Sequence, residues 1–109
     1  MKYGNRKTVV DGIRFDSKLE AQRYGELKLM EKAGKIRDLK LQPSFELIPA
    51  FRKNGITYRA IIYKADFSYT LNGKTVIEDT KGYKTDVYIL KKKLFEFRYP
   101  ELHIVEIRG

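Results

Sequence analysis

The sequence contains no cysteine and a single histidine, His103. The lack of cysteine excludes disulfide bonds, iron–sulfur clusters and zinc sites built on thiolates, and one histidine excludes metal sites that need several imidazoles. No run of about 18 apolar residues predicts a membrane-spanning helix, and the polar N-terminus lacks the apolar core of a signal peptide. These absences predict a soluble, cytoplasmic protein that does not bind membranes.

Positive charge is abundant. The chain carries 23 Lys and Arg against 14 Asp and Glu, which gives a formal net charge of +9 at pH 7. A small basic domain has the electrostatics of a nucleic-acid binder, because lysine and arginine neutralise phosphates. The alternative is a solvated basic surface without a partner. We favour a nucleic acid, and specifically DNA for the reasons that follow.

Capping, turn and periodicity signals divide the chain into short elements. Its 109 residues suit one domain, over 1–109, with an α/β fold whose central mixed sheet is flanked by helices. The predicted order is α-β-β-β-α-β behind a short N-terminal hairpin around Asp11-Gly12. We predict the hairpin at 7–15, helices at about 17–33 and 85–98, and strands at 44–51, 57–70, 74–81 and 102–107. His103 would then lie in an interior strand and have a structural role.

Two aspartates are placed by the strongest hairpin signal in the sequence, Asn72-Gly73. A two-residue turn sets the register, and continuing that register outward places Asp66 opposite Asp79, with their Cβ atoms about 4.5–5.5 Å apart. Two carboxylates in that position repel each other unless a divalent cation such as Mg²⁺ binds between them. Lys81 faces the same way as Asp79. It could neutralise the pair, or orient an attacking water and stabilise developing negative charge.

The alternative is an exposed patch of mixed charge. Ile62 and Ile77 are predicted on the same face as Asp66, which interrupts an otherwise apolar run, and these neighbours favour a site. Glu78 points to the other face by strand alternation, and we therefore exclude it from the site.

Glu20 falls on the predicted buried stripe of the first helix. A carboxylate on a core-facing stripe needs a partner. Three partners are available: the capping box with Ser17, an ion pair with Arg23, or the metal ion. The stripe itself consists of Leu19, Tyr24, Leu27 and Met30.

Asp66, then Asp79-Thr80-Lys81 at the end of the next strand, with a helical glutamate upstream, resembles the PD-(D/E)xK nuclease superfamily. The core of that superfamily has the same α-β-β-β-α-β order, a restriction-endonuclease-like fold. The stretches 7–20, Gln42-Pro43 and 78–82 look most like small phage- and prophage-encoded endonuclease-like proteins, with similarity to transposase-type and Holliday-junction-resolvase branches. The family pattern has proline before the first aspartate, where this chain has Ala65.

The resemblance implies a metal-dependent DNA endonuclease that acts on branched, recombination or replication intermediates of a phage, in the cytoplasm of the bacterial host. Asp66, Asp79 and Glu20 would hold Mg²⁺ or Mn²⁺ with the Thr80 carbonyl, and Lys81 would be the catalytic lysine. It also implies a homodimer, by analogy with resolvases, and no small-molecule cofactor. The alternative is a non-catalytic nucleic-acid-binding accessory protein that keeps the nuclease fold.

The DNA-binding surface is predicted on the second helix. Its apolar stripe is predicted as Val87, Leu90, Leu94 and Phe97. Lys84, Lys91 and Lys92 lie away from that stripe and are expected to contact DNA, with an ordinary solvated helix face as the alternative. Gln42 is a further expected DNA contact, or an ordinary polar residue before proline.

Overall fold

The computed structural model describes residues 8–81 and 83–108. Their elements, in chain order, are β1 (Thr8–Val10), β2 (Ile13–Phe15), α1 (Lys18–Lys32), β3 (Arg37–Leu41), β4 (Ser44–Ile48), β5 (Phe51–Lys53), β6 (Ile56–Tyr58), β7 (Ile61–Lys64), β8 (Phe67–Leu71), β9 (Lys74–Thr80), α2 (Asp86–Arg98) and β10 (Ile104–Ile107). None of the described helices is long and apolar enough to cross a membrane.

The N-terminal hairpin and α1 form where their local signals predict them. Asp11 and Gly12 both have positive φ, as a two-residue turn between β1 and β2 requires; Lys7, at the edge of the predicted hairpin, lies outside the described residues. The Ser17 side chain caps α1 by accepting a hydrogen bond from the Glu20 N–H. Gly34, at a φ of +78°, ends the helix and donates its N–H to the Glu31 carbonyl.

The central sheet is mixed and has a helix on each face. Its strand order is β10-β9-β8-β3, with β9 antiparallel to β8 and parallel to β10. Phe67 and Tyr69 of β8 pack with α1, whereas Ile77 of β9 packs with α2 on the other face. The α/β architecture predicted from the sequence is therefore confirmed.

The prediction of a single strand at 57–70 is wrong, because the chain changes its pairing partner twice in that stretch and forms three strands. β6 pairs with β5, β7 pairs with β4, and β8 pairs with both β9 and β3. The change between β7 and β8 occurs at Ala65-Asp66. The sequence also failed to predict β3, whose residues are mostly exposed and whose register shifts between Arg37 and Lys40.

β10 is an edge strand of the four-stranded sheet, so the prediction of an interior strand at 102–107 is wrong. His103 precedes that strand with its side chain 79% exposed, and its Nδ1 lies 3.4 Å from a Glu96 carboxylate oxygen. Ile104 of β10 is buried with Tyr88 and Phe95, whereas Val105 is 44% exposed, so the apolar run does not mark a strand buried on both faces. An interior structural role for His103 is therefore excluded.

The buried face of α2 also differs from the prediction. Tyr88 and Phe95 are its buried residues. Of the predicted stripe, Leu94 packs against the same core, whereas Val87, Leu90 and Phe97 are exposed, Phe97 at 86%. Tyr88 and Phe95 are seven residues apart and so share one helix face, which packs against β4 and β7 through aromatic contacts. α2 therefore presents an apolar face to solvent.

Candidate functional site

Asp66 lies at the bend where the chain passes from β7 to β8. The paired ladder follows the predicted register as far as Phe67 opposite Glu78 and ends there, one pair short of Asp66 and Asp79. The Asp66 N–H continues the pattern by donating to the Glu78 carbonyl over 3.1 Å. Asp66 Oδ2 accepts two hydrogen bonds of 2.7 Å from Thr80, one from its N–H and one from its hydroxyl. Thr80 therefore orients the Asp66 carboxylate.

Asp79 is buried, with 2% of its surface exposed. The Tyr63 hydroxyl donates a hydrogen bond to Asp79 Oδ2, and the Lys81 ammonium lies 3.0 Å from Oδ1. Burial raises the pKa of Asp79 to about 6, and the Asp66 charge adds to that rise, while Tyr63 and Lys81 oppose it. The repulsion expected between the two aspartates is therefore present, although they do not form a strand pair.

Lys81 is held between a carboxylate and an aromatic ring. Its Nζ lies 4.1 Å from the centroid of the Tyr88 ring, a cation–π geometry, in addition to its ion pair with Asp79. The Lys81 side chain is 22% exposed and lies beside the buried Asp79 carboxylate. This is the position predicted from strand alternation.

Glu20 reaches the same region from the N-terminal turn of α1. Only 4% of the residue is exposed, and burial raises the pKa of its carboxyl to about 7, followed by the charge of Asp66. A backbone hydrogen bond from Asp16 opposes the rise, and Asp79 contributes a smaller repulsion. Ser17, one of the partners predicted for Glu20, accepts a hydrogen bond from the Glu20 backbone N–H and so caps the helix; this bond does not involve the Glu20 carboxylate.

Arg23, the second partner predicted for Glu20, is used elsewhere. Its guanidinium makes two hydrogen bonds to Glu78, of 2.8 and 2.6 Å, and a third to Glu26. The Tyr69 hydroxyl also donates to Glu78, which points away from Asp79 as predicted. This buried ion pair fastens α1 to β9 one residue before Asp79.

The donor set suits a hard cation that keeps part of its water shell. Among residues 8–81 and 83–108, no three His, Cys, Asp or Glu side chains form a group ready to enclose a metal ion. Mg²⁺ does not require such a cage, since it commonly takes one or two protein carboxylates together with waters and substrate phosphates. Asp66 and Asp79, with Glu20 beside Asp66, supply carboxylates of that kind.

Gln42 adjoins the site through its backbone. Its N–H donates to the Asp66 carbonyl over 2.8 Å, and Gln42 itself has a φ of 52°. It lines a surface depression together with Glu20 and Arg14. The exposed side chain of Gln42 therefore stands at the rim of the carboxylate cluster, on the side of α1.

A family model described as "Protein of unknown function (DUF1064)" matches residues 1–108. The chain belongs to this family. No curated protein matches it. Because the description of DUF1064 states no activity, the functional argument depends on the geometry of the site.

A second charged cluster in this DUF1064 chain surrounds Glu106 of β10. Its carboxylate accepts a 2.7 Å hydrogen bond from the Tyr88 hydroxyl and lies 2.9 Å from Lys84, 3.4 Å from Lys92 and 3.3 Å from Arg108. Lys84 is the first cause of a pKa for Glu106 that is lowered to about 2. The Tyr88 ring thus connects this cluster to Lys81.

The three lysines predicted to bind DNA are only partly exposed. Lys84 and Lys92 share Glu106, and Lys91 is half-buried on the packed side of α2. Lys91 and Lys92 lie on the side of α2 that carries Tyr88 and Phe95, because the helix buries that side and not the predicted one. The cluster contains one acid, Glu106, and three cations, Lys84, Lys92 and Arg108, so it carries a net positive charge next to Lys81.

Sequence reasoning missed three residues of the site: Tyr63, Tyr88 and Glu106. Glu106 carried a signal that was available, because it interrupts an apolar strand as Asp66 does, and it pairs with Asp79 across the parallel β9–β10 ladder. Tyr63 and Tyr88 carried none, since a tyrosine in a strand or helix is ordinarily a core residue.

Glu106→Gln should destabilise the protein in a pH-dependent manner. Because the pKa of Glu106 is lowered in the folded state, its contribution is complete above about pH 4.5 and is lost as the pH falls towards 2. We expect the variant to be less stable at pH 7 by about 1.5–3 kcal/mol, the range for hydrogen bonds to a charged group. Denaturant unfolding at pH 7, 5 and 3 should show this gap narrowing, whereas exposed Glu101→Gln should change stability little at each pH. A gap independent of pH would contradict the assignment.

Proposed function

We propose that this protein is a DNA endonuclease that hydrolyses phosphodiester bonds with Mg²⁺ or Mn²⁺. The observation that carries the proposal is the placement of Asp66 against residues 78–80, next to buried Asp79 and its ion pair with Lys81, with buried Glu20 near enough for the Asp66 charge to raise its pKa. Buried carboxylates whose pKa is raised by burial and by one another favour a bound cation. A strongly basic chain supplies a surface for DNA. The cytoplasmic location and phage origin expected from the sequence belong to the same proposal.

In this proposal Asp66 and Asp79 would hold the metal, with Glu20 and the Thr80 carbonyl as further ligands, and neighbouring groups orient both aspartates. Thr80 orients Asp66, while Tyr63 and Lys81 orient Asp79. When bound, the metal polarises the scissile phosphate and lowers the pKa of a water. No small-molecule cofactor is needed for that chemistry.

Lys81 acts on the reacting groups themselves. Its ammonium, steadied by Asp79 and the Tyr88 ring, donates hydrogen bonds to the attacking water or to a phosphate oxygen. A fixed positive charge there stabilises the negative charge that develops on the phosphate in the transition state.

The basic residues around Glu106 bind the DNA backbone. Lys84, Lys92 and Arg108 lie within 3.4 Å of that carboxylate, and they adjoin Lys81 through Tyr88. Lys91 on the same side of α2 and Gln42 at the rim of the site extend the surface. A phosphate replaces part of the interaction with Glu106 when DNA binds, which preserves the charge balance of the lysines.

A non-catalytic DNA-binding module is the second candidate. One observation favours it: Asp79 has partners within the chain, Tyr63 and Lys81, that compensate its charge without a metal. The two candidates differ in whether divalent cations bind at Asp66 and Asp79.

Mg²⁺ or Mn²⁺ should raise the melting temperature, since the ion binds the folded carboxylates and not the unfolded chain. Asp66→Ala should remove that increase, and Asp79→Asn should abolish cleavage while leaving the fold intact, because its amide removes the buried charge. Differential scanning calorimetry with and without metal, together with cleavage of linear, nicked, flapped and four-way DNA, measures both effects. Exposed Glu101→Gln is the control. An increase that survives Asp66→Ala would place the metal elsewhere, and cleavage by Asp79→Asn at the wild-type rate would exclude the nuclease.

Lys81→Ala should separate catalysis from binding. Loss of an electrostatic group that acts in the transition state costs about 10²–10³ in rate, whereas the other basic residues retain most of the affinity. Lys84→Ala should do the reverse, with weaker binding and a salt slope reduced by about one unit. Single-turnover cleavage and binding titrations in Ca²⁺ measure the two effects separately. If Lys81→Ala loses affinity but keeps its saturated rate, Lys81 is a phosphate contact only.

The homodimer expected from the resemblance has a suitable surface on α2. Val87, Leu90 and Phe97 form an exposed apolar row. In our proposal α2 of a second copy packs antiparallel against this row, with the two copies of Leu90 in contact. The two helix dipoles oppose each other in this arrangement, which favours it.

Leu90→Glu should convert the dimer to a monomer, because the two copies of residue 90 would face each other across the twofold axis as like charges. Sedimentation equilibrium over a range of protein concentrations measures the mass. Leu29→Glu is the matched control, an exposed leucine on α1, and should leave the mass unchanged. A wild-type protein that stays monomeric, or a Leu90→Glu dimer, would exclude this interface.

A further inference from the structure

β5 and β6 form an exposed two-stranded ribbon around the Asn54-Gly55 turn. All residues of both strands are exposed, and the turn has positive φ at both positions. Phe51 and Tyr58 are paired across the strands, with ring centroids 4.8 Å apart and planes only 14° from parallel. A stacked aromatic pair stiffens the ribbon, although much of both rings remains in contact with solvent.

The ribbon and its flanking residues carry positive charge only. Arg52, Lys53 and Arg59 lie within the stretch 49–60, which contains no aspartate or glutamate. Strand alternation places Lys53 on the face of Phe51 and Tyr58, and Arg52 on the opposite face, where it donates a 3.0 Å hydrogen bond to the Thr57 hydroxyl. Positive charge is therefore available on both faces of the ribbon.

The ribbon is connected to the candidate site by the strands that precede and follow it. β4 and β7 pair with each other and lead directly into β5 and out of β6. β7 contains Tyr63, whose hydroxyl donates to Asp79. From Tyr63 to the turn is at most roughly 26 Å of extended chain, at about 3.3 Å per residue. A substrate bound at Asp79 is therefore within reach of the ribbon.

Exposed aromatic and basic side chains on a stiff two-stranded ribbon match a groove of duplex DNA. The major groove admits a two-stranded β-ribbon, and arginine and lysine on its flanks contact the phosphates on either side. We propose that β5 and β6 enter the groove of duplex DNA next to the bond that is cut, with Arg52 and Lys53 as phosphate contacts. This inference rests on the proposed function for the identity of the substrate as DNA. It extends that function by naming a double-stranded segment beside the cut as part of the substrate.

A protein partner is the competing occupant, because Phe51, Ile56 and Tyr58 are also apolar. Three positive charges without a compensating acid in 49–60 favour the polyanion, since a second copy of the same ribbon would repel the first. The test therefore measures oligomeric state as well as DNA binding.

The experiment compares Arg52→Ala with Lys53→Ala in one double variant against Lys32→Ala with Lys35→Ala in another. The control removes two exposed lysines at and beyond the C-terminal end of α1, roughly 18 Å along the helix from Glu20. Fluorescence anisotropy in Ca²⁺ would titrate each protein with a short duplex and with a single strand of the same length. We expect the ribbon variant to bind the duplex at least about tenfold more weakly with a salt slope reduced by about two units. Its binding to the single strand should change little, and the control should match wild type on both probes.

Equal duplex binding by the ribbon variant and wild type would overturn the proposal, as would an equal loss on the single strand. A change in sedimentation mass of the ribbon variant would assign the ribbon to a protein interface and would also overturn it. A wild-type protein that binds duplex DNA through the ribbon but cuts none of the DNA structures would refute the nuclease and leave the ribbon contact intact.

A second measurement uses the lack of cysteine in the chain. Thr57→Cys and Leu29→Cys each introduce one thiol for a photo-crosslinker, on the ribbon and on exposed α1 respectively. We expect crosslinks to duplex DNA from position 57 and not from position 29. Equal crosslinking from both positions would contradict a specific ribbon contact, and this readout does not depend on the ribbon charges.

Discussion

The antiparallel pairing of β8 with β9 starts at Asn72-Gly73, where both residues have positive φ, and continues in one register to Phe67 and Glu78. Because alternate side chains point to opposite faces, this register sends Glu78 towards α1 and Asp79 towards α2. A shift of one residue would turn Asp79 and Lys81 towards α1 and Glu78 towards α2, which would separate the two aspartates. The candidate site therefore depends on a turn six residues before Asp79, through backbone geometry alone.

The neighbouring buried carboxylates of Glu78 and Asp79 have their negative charges compensated to different extents. Glu78 makes two hydrogen bonds with Arg23 and one with Tyr69, so its charge is compensated and it joins α1 to the sheet. Asp79 has one lysine and one tyrosine but faces the charge of Asp66, and burial raises its pKa to about 6. Glu20, with a pKa raised to about 7, is compensated still less. The charge of Asp66 contributes to the raised pKa of both Glu20 and Asp79, which supports the proposal of a cation there.

The tyrosines connect the charged groups of the site into one network. Tyr63 donates to Asp79, and Tyr88 contacts Lys81 through its ring and Glu106 through its hydroxyl. Burial first, and then the adjacent carboxylates, raise the pKa of both phenols, which keeps them neutral donors. A neutral donor orients a buried carboxylate without cancelling its charge, so these residues can fix the site and still leave it attractive to a cation.

The sequence determined the features that depend on neighbours along the chain. Local backbone preferences set the positive-φ turns at Asp11-Gly12 and Asn72-Gly73, the Ser17 cap and the Gly34 end of α1. Strand alternation then predicted that Asp66, Asp79 and Lys81 lie on one face. The tertiary structure decided what depends on distant contacts: the break at Ala65-Asp66, where the chain changes partner, the edge position of β10, and the face of α2 that is buried. Apolar periodicity misplaced the centre of the buried face of α2, because Tyr88 and Phe95 form its core contact. Of the predicted stripe, Leu94 packs against that core while Val87, Leu90 and Phe97 remain in solvent. Tyr63 and Glu106 also belong to the site through distant contacts. The tertiary packing of β7 and β10 places the Tyr63 hydroxyl beside Asp79 and the Glu106 carboxylate beside Tyr88.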